Sequence, residues 1–288
     1  MAYTLCGAFT AADVVARAWR IQWLLRGLGA RVSFRDAAIV NVIGDGAAAV
    51  TPLRVGGQPA RLGAFVRAGV PAPRALAAIG IEAALMYPVV IALGVALGVL
   101  FAPDWWHEVG PGLVASARRA VSWAAGILLL LAGLVVWLRR RRRAPTAKRS
   151  VLADLRAMPR WPLLASIPLS VVNVVARVAI LPILAATLDR APALGASLMG
   201  SYVLLYGQLV MPTPSGAGVV EYGFLSGVAG DMHAEARHVL VAWRFFTVGL
   251  FIVAALVLAA ARFGIAPLRS LVGRDRRAAA PPTEGVQP

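Results

Sequence analysis

Arg177 and Glu221 are ionisable residues set in stretches otherwise apolar enough to cross a membrane. Arg177 lies about 15 residues into the run Trp161–Leu188, roughly 22 Å along a helix at 1.5 Å per residue. A guanidinium at that depth costs about 2.5–3.5 kcal/mol on insertion scales, so it is expected to face the bundle interior or water. Asn173 stands one turn earlier on the same helix face. A planar guanidinium offers paired hydrogen bonds to a phosphate, which makes a lipid headgroup one candidate ligand. A structural ion pair with Glu221 or Glu82 is the other reading. Glu221 has three readings of its own: a counter-ion for Arg177, a headgroup ligand, or a proton-coupling carboxylate.

The elements that must position these residues are interrupted. Met211-Pro-Thr-Pro-Ser-Gly-Ala-Gly-Val-Val-Glu-Tyr-Gly-Phe224 puts Pro212, Pro214, Ser215, Gly216 and Gly218 between the apolar segments Leu194–Val210 and Val239–Ala261. Broken backbone at membrane depth survives only where protein or a wet cavity satisfies its N–H and C=O groups. The first half has a comparable stretch. Ala37–Thr51 is short and Gly-rich, carries Asn41 and Asp45, and runs into Pro52-Leu-Arg-Val-Gly-Gly-Gln-Pro-Ala-Arg61. Arg54 and Arg61 flank Gly56 and Gly57 there, either to receive phosphates or as plain topology signals. Short, Gly/Pro-interrupted hydrophobic segments in both halves of a chain point to a transporter's site.

The chain of 288 residues is 59% hydrophobic and 15% charged, with a mean hydropathy of +0.74. That is too apolar for a soluble domain. The reading is an all-α, polytopic integral membrane helix bundle with two broken or re-entrant segments and about six to eight membrane segments. Residues 1–265 form the membrane domain, and 266–288 a basic, disordered tail. The formal charge of +16 falls in the gaps between apolar segments, as topology and contact with anionic lipid require. Nucleic acid is not an expected partner.

All but Lys148 of the 29 basic residues are arginine, and the run Arg139–Arg143 is the strongest cytoplasmic marker. With Val239–Ala261 returning to the same side and Arg262, Arg269, Arg274, Arg276 and Arg277 following it, the C-terminus is expected in the cytoplasm. Asp13 and Arg17 are four apart in Tyr3–Leu25 and can pair on one helix face; that segment is either a buried or an interfacial helix. Arg244, near the start of its span, is expected to snorkel outward.

Pro212-Thr-Pro-Ser-Gly-Ala-Gly-Val-Val-Glu221 resembles the Pro-x-Pro-Gly-Gly-x-Gly-x-x-Glu signature of the lysylphosphatidylglycerol synthase transmembrane family. Those are flippase-like domains related to the N-terminal half of the multiple peptide resistance factor. Thr51-Pro-Leu-Arg-Val-Gly-Gly-Gln-Pro-Ala-Arg61, followed by Glu82, is similar to the family's Pro-x-Arg-x-Gly-(Gly)-Glu-x-x-Arg loop and later Glu. The likeness covers roughly residues 15 to 262. Ser215 stands where glycine is usual and Gln58 where an acid is common, while Ala83 and Tyr87 replace the Asp and Arg that often follow Glu82. The resemblance implies a bacterial inner-membrane protein that moves or handles lipid-linked substrates. Bifunctional relatives add a soluble aminoacyl-transferase domain; with only 27 residues after Ala261, aminoacyl transfer is not expected of this chain.

No cofactor is expected. His233, Glu235 and His238 lack His-Glu-x-x-His spacing, so no metal site is expected either. The one lysine does not follow a glycine-rich phosphate loop, which argues against ATP hydrolysis, and nothing resembles a Ser/His/Asp arrangement. The single cysteine, Cys6, rules out an internal disulfide. The leading expectation is a non-enzymatic, flippase-like protein for an anionic phospholipid or lipid-linked amphiphile. The alternative is an accessory subunit or intramembrane enzyme of lipid or glycan assembly, with such assembly enzymes as partners.

Overall fold

The computed structural model describes residues 1–101, 156–188, 191–209, 211, 213–225 and 235–263. All regular structure among them is helical. The tail 266–288, the Arg139–Arg143 run, His233 and Pro212 lie outside the described residues.

Helix α1 (Ala2–Gly27) is the central post, packed along its length against α5 (Trp161–Ala185). Its buried face includes Asp13, Arg17 and Arg20 as well as Ile21, Leu24 and Leu25. Such a helix is stable only inside the bundle, so Tyr3–Leu25 is a core helix and not an interfacial one. It ends at Gly29, whose φ of 71° lets the chain turn while Ala30 N–H donates to Leu25 O at 2.8 Å.

Helix α2 (Phe34–Val50) starts at Ser33, whose side chain accepts from Asp36 N–H at 3.0 Å. A tight turn over Pro52–Arg54 leads into α3 (Gly57–Arg67) and then the long α4 (Ala72–Phe101). The second half repeats this plan. Helix α6 (Leu194–Gly207) runs into a turn over Pro214–Gly216 and the short α7 (Val219–Gly223). Next come α8 (Glu235–Arg244), a wide π turn over Phe245–Gly249, and α9 (Leu250–Phe263). Three apolar stretches are long enough to cross a membrane among the described residues: Ala72–Phe101, Trp161–Ala185 and Ala236–Arg262.

Helix α2 has 17 residues and α6 has 14, which at 1.5 Å each make about 25 and 21 Å. Both fall short of the roughly 30 Å hydrocarbon core, so each doubles back as one arm of a re-entrant hairpin. The two turns follow the same backbone path. An extended threonine (Thr51, Thr213) is followed by proline and then by two residues at positive φ. Those residues are Leu53 (51°) and Arg54 (57°) in the first turn, Ser215 (48°) and Gly216 (67°) in the second. The turns pack against each other, and Ser215 Oγ donates to Ala49 O at 2.9 Å. That hydrogen bond accounts for a serine at a left-handed position where glycine is the easier residue. Pairing across the halves is reciprocal as well: α2 packs on α9, and α6 packs on α4.

Small residues set the closeness of α2 to its neighbours. A Cβ on Gly46 would collide with the Ala255 side chain and lie 3.0 Å from Phe251 O. Close approach of this kind is how helices associate in lipid, where apolar burial alone does not favour protein over acyl chains. Gly46→Val should therefore part α2 from α9 at a cost of about 1–3 kcal/mol. A thermal melt of the purified protein in detergent would register it as a lowered midpoint; an unchanged midpoint would refute the packing.

Candidate functional site

Two carboxylates and two guanidiniums meet where α1, α2 and α5 converge. Asp13 is 1% exposed. Its Oδ1 lies 3.1 Å from Arg17 Nε and accepts from the Asn173 amide, while Oδ2 accepts from Arg177 Nε at 3.0 Å. Asp45 Oδ2 is 2.5 Å from one Arg17 nitrogen and 3.1 Å from one Arg177 nitrogen. Phe251 of α9 closes the cluster, with the Arg17 and Arg177 guanidiniums 5.7 and 5.2 Å from its ring centroid. The sequence-level pairing of Arg177 with Glu221 or Glu82 is thus replaced by pairing with Asp13 and Asp45. Arg177 sits on the far helix of the pair α1–α5, and that packing carries it to α1 first.

A second cluster lies beside the first. Glu82 Oε1 accepts from Arg20 Nε and Nη2 at 3.2 and 2.6 Å, and Oε2 accepts from Arg61. Arg20 also donates to Ser170 Oγ at 2.9 Å. Arg61 reaches Glu82 by running past Gly44, where any Cβ would overlap its aliphatic stem. The carbonyl of Gly44 in turn lies 3.0 Å from where a Cβ on Gly57 would sit. Glycine at both positions lets α2 and α3 cross closely enough for this reach.

The two clusters share a cavity of about 360 Å³. Arg17, Arg20, Arg54, Arg61 and Arg177 all contribute to its wall, with Asp45, Glu82 and Asn173. Arg54, held at positive φ by the first turn, donates to Gln208 Oε1 at 3.2 Å. Ala83 and Tyr87 also line the wall.

The second turn builds a separate, more open groove. Pro214, Ser215 and Glu221 line it together with Arg244 and the π turn. Glu221 accepts from Gly218 N–H at 2.6 Å and from Arg244 Nε at 2.6 Å, and Arg244 also donates to Ser215 O at 2.9 Å. Arg244 therefore does not snorkel outward. It lies at the C-terminal end of α8, and the acceptors of the second turn hold it inward. Gly216 is buried against Gln208, and Gly56 supports the first turn by donating to Thr51 Oγ1 at 2.9 Å. Asn41 is buried, with its amide lacking a partner among the described residues, and lies away from both cavities.

The family model for the lysylphosphatidylglycerol synthase TM region matches residues 2–255. The chain belongs to that family. The match begins at residue 2, so α1 with its buried charges is part of the family region. No curated protein and no solved structure matches the chain significantly. A helical membrane protein of the lysylphosphatidylglycerol synthase TM family is thus associated with lipids. Among the described residues, no three His, Cys, Asp or Glu side chains gather as a metal site would need.

The sequence reading passed over Asp45, Arg20 and Gln208 as site residues, although each is a polar side chain in an apolar segment. That signal, already applied to Arg177, marks all three. The Glu82 and Glu221 ion pairs differ in burial: the Glu82 side chain is 5% exposed and that of Glu221 35%. Glu82→Gln strands Arg20 and Arg61 and should cost about 3–5 kcal/mol. Glu221→Gln should cost about 1 kcal/mol or less. Denaturation midpoints in detergent would compare them; equal losses would contradict the assigned burial.

Proposed function

We propose that this protein carries the headgroup of an anionic phospholipid or lipid-linked amphiphile across the inner membrane, without nucleotide hydrolysis or covalent chemistry. The observation that carries the reading is the cavity of about 360 Å³ between the helices, with five arginines in its wall. An ion moved unaided into hydrocarbon loses its hydration at prohibitive cost. A wall of guanidiniums and turn backbone replaces those hydrogen bonds, and the volume lies within the range of small-ligand sites, about 300 Å³ upward. The groove beside Glu221 and Arg244 has a largely apolar wall, suited to acyl chains that stay in contact with lipid.

In this reading the headgroup exchanges with the internal carboxylates for the arginines. Arg177 and Arg17 bind phosphate oxygens as they loosen from Asp13 and Asp45, and the broken hairpins supply the movement. Passage is downhill or coupled to an ion gradient, and the C-terminus faces the cytoplasm.

Reconstitution into liposomes with headgroup-labelled phosphatidylglycerol or polyprenyl phosphate tests this. Wild type should exceed protein-free vesicles, and Arg177→Ala should lower the rate at least about tenfold, as loss of a charge-assisted hydrogen bond predicts. Asp45→Asn should also slow passage. Transfer no faster than in empty vesicles across both lipid classes would instead support an accessory role in lipid or glycan assembly.

A further inference from the structure

We infer that the central cavity is a receptor for a phosphate dianion, a monoester or a diphosphate diester, in preference to the single charge of a phosphodiester. The inference deepens the lipid-passage reading above and rests on it for the lipid part of the ligand. It begins from the charges. Five guanidiniums line the cavity, against Asp45 and Glu82 in the wall and Asp13 directly behind. Among the described residues, the site thus carries two positive charges more than its carboxylates neutralise.

The surplus is localised. Arg17 and Arg177 share Asp13 and Asp45, and Arg20 is engaged by Glu82 and Ser170. Arg54 and Arg61, on either side of Gly56 and Gly57, are the guanidiniums with capacity to spare. Arg61 gives one nitrogen to Glu82, reaches Gln58 at 3.4 Å, and keeps Nε buried without a hydrogen-bond partner among the described residues. Arg54 has no carboxylate partner among the described residues; its acceptor is the neutral Gln208 Oε1. Gln208 is itself oriented, because its Nε2 donates to Leu205 O at 2.7 Å. Its oxygen therefore holds Arg54 at the cavity without cancelling its charge, which makes Gln208 a positioning residue. The uncapped first turn of α3 adds to the same side, with Gly57 and Gln58 in the cavity wall.

A low-dielectric space penalises whatever charge is left uncompensated. A phosphodiester leaves one positive charge over, and a zwitterion leaves both while adding an ammonium beside guanidiniums. A dianion alone brings the site to neutrality, and its oxygens can engage Arg54 and Arg61 together.

The test is equilibrium binding to the purified full chain in non-ionic detergent, at pH about 8, where a phosphate monoester has shed both protons. Short-chain phosphatidic acid, phosphatidylglycerol and phosphatidylcholine with identical acyl chains serve as probes, read by calorimetry. Phosphatidic acid should bind about tenfold tighter than phosphatidylglycerol, the value of one added charge-assisted contact, and phosphatidylcholine weakest. Gln208→Glu supplies Arg54 with an internal carboxylate and should bring the first two affinities together. Arg54→Gln should do the same by removing the charge.

Equal affinities for the two anionic lipids in wild type, or a preference that survives both substitutions, would overturn the proposal. Inorganic phosphate competing as well as phosphatidic acid supports the dianion site with a soluble anion as its source; failure to compete supports the lipid. Liposome transfer without a dianion preference sinks this inference alone. A dianion preference without transfer sinks the passage reading alone.

Discussion

Ionised side chains inside a membrane bundle must find one another, because neither hydrocarbon nor a packed core will solvate them. Asp13, Arg17, Asp45 and Arg177 meet this requirement with two charges of each sign. Their pairing ties the consecutive helices α1 and α2 to α5, more than a hundred residues further along the chain. The rest of the architecture follows from that tie. With α1 fixed against α5, α2 is held in place, and its early end at Val50 brings the first turn against the second.

The two re-entrant hairpins share a backbone path and differ in where they carry charge. In the first, a guanidinium on the short helix (Arg61) meets a carboxylate on the long one (Glu82). The second exchanges them, with Glu221 on the short helix and Arg244 on the long one. The π turn after Arg244 is a local widening of a kind common at functional positions. It lies between the residue that holds the second turn and Phe251, whose ring faces both cations of the central quartet. The second groove thereby balances its own charge, while the central cavity does not. That asymmetry between related halves is the physical basis of the anion preference inferred above.

Glycine and small residues set the precision of the site. Gly44 lets Arg61 pass to Glu82, and Gly57 lets α3 cross α2 closely. The positive φ of Leu53 and Arg54 costs on the order of 1–2 kcal/mol per residue. Such a strained path persists because the second turn packs against it and Ser215 donates to Ala49 O.

Much of the fold was legible in the sequence, because hydrophobic length reports directly on a membrane solvent. The long apolar runs Trp161–Leu188 and Val239–Ala261 marked α5 and the α8–α9 span, and the Pro/Gly stretches marked both broken hairpins. The spacing of Asp13 and Arg17 marked an ion pair within one helix, and it is present at 3.1 Å. Local patterns reach that far, since they depend on neighbours three or four residues away. The partners of Arg177 and Arg244 do not follow from spacing. Several carboxylates lie in apolar segments, and only the packing of α1 on α5, α2 on α9 and one turn on the other decides which come within hydrogen-bond reach. The sequence alone determined that buried charges line an interrupted helix bundle. Which charge neutralises which, and where two are left over, was decided by tertiary structure, because Coulombic pairing depends on distances between segments that no local pattern encodes.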